Sequence, residues 1–169
     1  GLLKRTTPRS IPLAGGMWLV GQGDPSIQAV VDLNALGLNF IKTSKQGLHL
    51  GAMTTLQELA SHPCVSALAG GLLAQAARRN ATRAIRNQAT LGGTLVVGEA
   101  TSEIGLALLV MEARLVIRTP QRQTVNIEAF FEEPQDYLTP GGLIVEVIIP
   151  ESAVEDTTAL SEISRTPLD

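Results

Sequence analysis

Two glycine pairs set among apolar residues constrain this chain more than any other feature: Gly15-Gly16, after Ala14, and Gly92-Gly93, between Leu91 and Thr94. Adjacent glycines mark a place where the backbone bends tightly or is approached closely. A phosphate-bearing ligand can be held by backbone N–H groups that converge at such a bend, where side chains would block the approach. Thr90 and Thr94 flank the second pair with hydroxyls suited to phosphate or sugar oxygens. Taken singly, each pair is equally a plain turn or bulge between strands. The context around both has to decide.

The apolar runs give an α+β reading. Ile11 to Val20 reads as a strand, a tight turn and a short apolar element. Gly21 to Pro25 is a turn cluster. Ala29 to Leu33 is a short apolar run bounded by turn residues, the pattern of a strand covered on both faces. Two short strands, Phe40 to Lys42 and Leu48 to Leu50, flank a turn at Lys45-Gln46-Gly47. Thr55 with Glu58 three residues on is a capping box, so a helix is expected to open there and to end before Pro63. A longer helix is expected over Leu68 to Ile85, and Ala89 to Val97 reads as a strand broken by its glycine pair. A short helix over Ile104 to Leu109, a strand over Ala113 to Ile117, a turn at Pro120 to Gln123 leading into Val125, and a helical turn at Asn126 to Phe130 follow. Leu143 to Ile149 is a strong β run stopped by Pro150. The expected organisation is a small β-rich lobe over residues 1–55, a second α+β lobe over 56–150, and a polar tail over 151–169.

Composition excludes several classes of function. With 44% hydrophobic residues but 3% aromatics, the core must be built from Ala, Leu, Val and Ile. Charged residues make up 17% and the net charge is −3, which gives no electrostatic footprint for nucleic acid and suits a surface partly covered by partners. The single cysteine, Cys64, rules out a disulfide framework or a cysteine-ligated cluster within these residues. It fits a reducing compartment, and a cytoplasmic location is expected. Lys4 and Arg5 lead into Thr6, Thr7 and Pro8 rather than a signal-peptide core. No apolar run approaches the length of a membrane span. Gly21-Gln22-Gly23 lacks the third glycine and the helix of a dinucleotide fingerprint.

Four segments then follow in a telling order: LAGGMWLV at 13–20, GAMTTLQEL at 51–59, IRNQATLGGTL at 85–95 and YLTPGGLIVEVIIP at 137–150. Together they resemble the FAD-binding domain of the medium, flavin-carrying subunit of the carbon monoxide dehydrogenase and xanthine dehydrogenase family, the molybdopterin dehydrogenases. The resemblance spans nearly the whole chain. It implies the two-lobed flavin fold shared with vanillyl-alcohol oxidases, with FAD between the lobes. It implies a first cofactor loop made by Leu13, Ala14, Gly15, Gly16, Met17, Trp18 and Leu19, and a second made by Thr90, Leu91, Gly92, Gly93 and Thr94. Ser102 and Glu103 fall where the family has a pair that hydrogen-bonds the cofactor, and Ile144 where an apolar residue packs near the flavin. The chain departs from the family at Met17-Trp18 (commonly Thr-Asp), Thr94 (Asn), Ala100 (Pro) and Glu103 (Asp). Family members continue into a separate C-terminal domain, which the resemblance implies is absent from these residues. The stretch Ser164 to Asp169 resembles its beginning.

The function that the resemblance implies is a relay. A molybdenum-cofactor subunit oxidises the substrate, a [2Fe-2S] subunit passes electrons, and FAD in this module hands them to an acceptor. No nucleophile–base pair or paired carboxylates are evident, so no residue is assigned as catalytic and none as a metal ligand. The other reading is a truncated or degenerate flavin domain that serves as an assembly module without tight FAD binding. Among the remaining residues, Arg78, Arg79, Arg83 and Arg86 form either a solvated face or a docking surface. Asn87 is expected to fix the turn before the second loop, His49 and His62 to be isolated, and Cys64 to be a small buried residue.

Overall fold

The computed structural model describes residues 3, 10–98, 100–139, 141–154 and 158. Two sheets organise them. A small parallel pair joins β1 (Ser10–Leu13) to β2 (Ala29–Asp32), with α1 (Met17–Gln22) as the crossover that parallel neighbours require. The larger sheet has five antiparallel strands in the order β3-β4-β7-β5-β6. These are β3 (Ile41–Ser44), β4 (Gly47–Gly51), β5 (Arg114–Arg118), β6 (Arg122–Asn126) and β7 (Leu143–Pro150).

Helices cover one face of that sheet. They are α2 (Leu56–Ser61), α3 (Pro63–Ala67), α4 (Leu72–Asn80), α5 (Arg83–Arg86), α6 (Leu91–Val97), α7 (Glu103–Val110), α8 (Ile127–Glu132) and α9 (Pro134–Leu138). Strand alternation turns Leu115, Ile117, Val147 and Ile149 inward, where they join Leu56, Leu59, Leu73, Leu91, Ile104 and Leu108 in one core. That core is aliphatic, as the composition requires. Phe130 is its large buried ring, with Phe131 at 5.7 Å and Tyr137 at 6.1 Å between centroids.

The capping box forms as the sequence predicts. Glu58 N–H donates to Thr55 Oγ1 at 3.1 Å, and Thr55 N–H donates to Glu58 Oε2 at 2.8 Å. Burial pushes the Glu58 carboxyl up, but the Thr55 bonds, with Asn39 and His62, outweigh it and hold the group below its ordinary range.

Several expectations change. The helix predicted over Leu68 to Ile85 is broken. Ala69, Gly70 and Gly71 all take left-handed backbone before α4 begins, and Ala81 is extended after it. Ala89 to Val97 is not a strand. Thr90 caps a helix there by accepting the Gly93 N–H at 3.2 Å, and the strand propensity of the β-branched residues is overridden by that cap and by packing. Ala29 to Leu33 is not covered on both faces, since β2 alternates and Val30 is exposed. Pro150 lies within β7 rather than just after it. The boundary expected at residue 55 separates β3 and β4 from β7, their partner in one sheet. Cys64 is exposed. Beyond the short 3-10 turn Glu151–Val154, the tail segment Ser164 to Asp169 lies outside the described residues.

A cavity where the two glycine pairs meet

Gly15, just before α1, is pressed against the turn at Asn87-Gln88 that leads towards α6. A Cβ there would sit 1.7 Å from the Gln88 carbonyl oxygen. A Cβ on Gly93 would come to 3.9 Å from the Ala14 Cβ. The two glycine pairs, far apart in sequence, are thus in one place. Gly16, at φ +74°, turns the chain from β1 into α1, which has no side-chain cap.

The second pair does a different job from the one the sequence suggests. Its backbone N–H groups are taken within the protein: Leu91 donates to Thr54 O, Gly92 to Ala52 O and Thr94 to Thr90 O, each at 2.8 Å. Gly93 donates to its own cap, Thr90. Gly92 lacks a side chain because a Cβ would lie 2.8 Å from that of Ala52. This lacing, extended by Leu56 N–H to Ala89 O at 2.9 Å, fastens the segment 89–94 to the segment 52–56. Two of the four motifs that seemed separate in sequence form one seam.

Beside this junction is a cavity of about 780 Å³. It lies between the β1–α1–β2 unit on one side and α6, α9 and β7 on the other. All the expected site residues line it except Leu91, which is buried in the core, and Glu103, in the first turn of α7. Ser102 lines it while capping α7, accepting the Gly105 N–H at 3.1 Å. Thr94, partly buried, is a polar side chain that the second segment presents there. Asp24, Asn80, Gln135 and Thr139 also line the cavity and were not singled out. Gln135 and Thr139 lie in or beside a segment already recognisable by its motif; Asn80 and Asp24 carry no signal in the sequence.

The lining is mostly apolar side chains and backbone. Among the described residues it holds no lysine, arginine or histidine. Any phosphate placed there would meet neutral donors. Volume and lining suit a small-molecule ligand that is largely apolar with a few polar groups.

Arg86 and Asn87 exchange roles. The Arg86 guanidinium donates to Arg78 O at 2.6 Å, Ala81 O at 2.5 Å and Gln57 Oε1 at 3.2 Å. It closes the end of α4 and ties α5 to α2, while Asn87 is exposed. The local fastening expected of the asparagine comes from the arginine.

His49 is not isolated. On the outer face of the sheet, its Nδ1 meets Glu146 Oε1 at 2.6 Å and its Nε2 meets Ser44 Oγ at 2.8 Å. Arg122 reaches Glu146 Oε2 at 2.8 Å from β6. Ser44 Oγ also accepts the Gln46 N–H, closing the β3–β4 hairpin. The chain of groups braces strands that the sequence order keeps apart. Among the described residues, no group of His, Cys, Asp or Glu could hold a metal ion, and no helix is long and apolar enough to cross a membrane.

Residues 2–152 match the family described as the FAD binding domain in molybdopterin dehydrogenase. The alpha subunit of the 6-hydroxypseudooxynicotine dehydrogenase complex of Paenarthrobacter nicotinovorans is 32% identical over 161 residues, 90% of this chain and 53% of that protein. The carbon monoxide dehydrogenase medium chain of Hydrogenophaga pseudoflava is 30% identical over 139 residues, 80% of this chain and 48% of that one. A solved carbon monoxide dehydrogenase from the same organism superposes with a TM-score of 0.78 at 27% identity, covering 93% of this chain and 56% of that one. Quinoline 2-oxidoreductase from Pseudomonas putida 86 superposes at 0.71 with 26% identity, over 88% of this chain and 54% of that one. The chain spans about half the length of the relatives it matches.

Proposed function

Because this chain belongs to the family of FAD-binding domains of molybdopterin dehydrogenases, we propose that it is the flavin-holding module of a molybdenum hydroxylase-type oxidoreductase. In this reading the β1–α1–β2 unit is one lobe, the five-stranded sheet with its helices is the other, and FAD lies in the cavity between them. The observation that carries the reading is the meeting of the two glycine pairs at a cavity of dinucleotide size.

The residues present fit the cofactor. Gly15 and Gly16 let the first loop turn at the cavity edge, and α1 opens there with first-turn N–H groups that no side chain caps. Those backbone N–H groups, with the backbone of Leu13 to Gly16, are the proposed pyrophosphate contacts, and the side chains from Met17 to Leu19 face the rest of the cofactor. Thr94 and Ser102 supply hydroxyls for the polar middle of the cofactor, and Ile144 an apolar wall. Thr90, Gly92 and Gly93 hold the second wall in shape; Leu91 and Glu103 act from behind it. Bound FAD supplies the electron transfer, and the protein's share is position and environment.

The proposed partners are a molybdenum-cofactor subunit, where substrate is oxidised, and a [2Fe-2S] subunit that delivers electrons to this module for transfer to an acceptor. A cytoplasmic setting goes with this reading. The test is the visible absorption of the purified chain after FAD is added and excess removed by gel filtration. Retained flavin, with retention lost in Gly15→Trp, supports the module. No retention at any FAD concentration leaves the assembly-module reading in its place.

A further inference from the structure

Four of the large apolar side chains that the fold leaves exposed stand on the cavity. Met17 (40% exposed) and Trp18 (53%) are on α1, and Val96 (49%) and Val97 (44%) are on α6. Met17 and Trp18 open α1 and Val96 and Val97 close α6, and all four line the same cavity. Nothing in the packing of the described residues accounts for Trp18, because α1 has no buried residue. Exposed apolar groups that cluster at a cavity mark a ligand surface.

We propose that Trp18 stacks on the isoalloxazine ring of bound FAD and sets the fluorescence and orientation of that ring, with Val96 and Val97 on the opposite wall. The inference rests on the FAD reading above. The choice of ring follows from electronics. An indole is electron-rich and isoalloxazine electron-poor, so donor–acceptor stacking favours the flavin over adenine, which is itself electron-rich. Aromatic pairs of this kind prefer offset stacking over a broad apolar wall.

The test compares the parent with Trp18→Phe and Trp18→Ala, each loaded with FAD. An indole in van der Waals contact gives one electron to an excited flavin and takes it back on recombination, so emission is lost with no net chemistry. Phenylalanine keeps the packing but cannot donate at that potential. Bound FAD is measured by absorbance after ultrafiltration, so binding and emission are read separately. The expected result is parental retention in Trp18→Phe with flavin emission per bound FAD raised severalfold, weaker retention in Trp18→Ala, and unchanged melting of all three apo proteins. Equal emission in the parent and Trp18→Phe, with FAD retained by both, overturns this inference and leaves the FAD reading standing. Failure of the parent to retain FAD removes both.

Discussion

Three glycines within the first loop and its helix stand in three different settings, and alanine at each position separates them. At Gly15 the backbone is not left-handed, so alanine costs nothing in local strain. Its Cβ, however, would lie 1.7 Å from Gln88 O, where ordinary contact begins at 3.4 Å. The loop or the Gln88 carbonyl must retreat by 3.4 − 1.7 = 1.7 Å. Gln88 leads directly into the laced segment 89–94, whereas α1 has no buried residue to hold it. The first loop is the part that yields. A hydrogen bond stretched by that much is lost. Losing two neutral bonds to the cofactor, at about 1 to 1.5 kcal/mol each, weakens FAD binding by roughly 30-fold to 150-fold. Gly16→Ala meets Leu13 Cδ1 at 3.3 Å and Val20 Cγ2 at 3.7 Å, both side-chain ends, but forces alanine to φ +74°, at about 1 to 2 kcal/mol. Gly21→Ala meets nothing within 4 Å inside α1 and should stabilise that helix by up to about 1 kcal/mol. FAD titration and thermal melting on the three variants read these effects apart. Parental FAD affinity in Gly15→Ala would refute the reasoning, because the contact cannot be relieved by rotating a side chain.

Arg86→Ala removes three hydrogen bonds at the end of α4 and is expected to destabilise the chain by about 2 to 3 kcal/mol in denaturant titration. Arg86→Lys recovers little of that without the planar fork, and Asn87→Ala changes stability by less than about 0.5 kcal/mol. With no cationic side chain among the described lining residues, FAD affinity measured by titration should change less than about twofold between low salt and about 0.5 M salt. A steep salt dependence would mean that an unrecognised cation reaches the phosphates. The Glu58 carboxyl is held below its ordinary range in the folded chain, so it contributes stability above the unfolded carboxylate range that is lost as pH falls through its folded value. Melting of Glu58→Gln should lie below the parent at neutral pH and converge with it in acid. Hydrogen exchange should slow in β1, α1 and β2 when FAD is added and change little in α4.

Local chemistry was legible in the sequence, and tertiary chemistry was not. Thr55 and Glu58 declared a helix start because both partners of the cap lie within three residues of each other. The β3–β4 hairpin and β7 were legible because alternation and turn residues are local signals. Ala89 to Val97 misled because Thr94, Val96 and Val97 favour strand, while the decision rests on the Thr90 cap and on Thr54 and Ala52, which supply acceptors from elsewhere in the chain. The pairing of β4 with β7 joins Leu50 to Val147 across most of the chain, so a lobe boundary drawn by sequence alone had no means of seeing it. His49 looked isolated for the same reason, its carboxylate partner being on β7. At the cavity, the two glycine pairs come together, but the reason the sequence suggests for them is incomplete. Gly15 and Gly92 are small because backbone and Ala52 lie against them, and only the first pair bends the chain at the cavity edge.

That distinction bears on how the site works. From residue 10 to residue 40, Leu33 is the one described side chain that is fully buried, so the β1–α1–β2 unit has almost no core of its own. The opposite wall, by contrast, is laced into the large sheet and its helices. One side of the cavity is laced into the core, and the other, with Leu33 as its buried residue, approaches it closely where Gly15 meets Gln88. A ligand that fills the space supplies the small unit with the apolar surface it otherwise lacks, and a group that binds only the folded arrangement stabilises it in proportion to its affinity. The glycine at position 15 then matters twice: it sets how closely the weak side approaches the firm one, and through that distance it sets whether the first loop and the second wall can hold the same molecule at once.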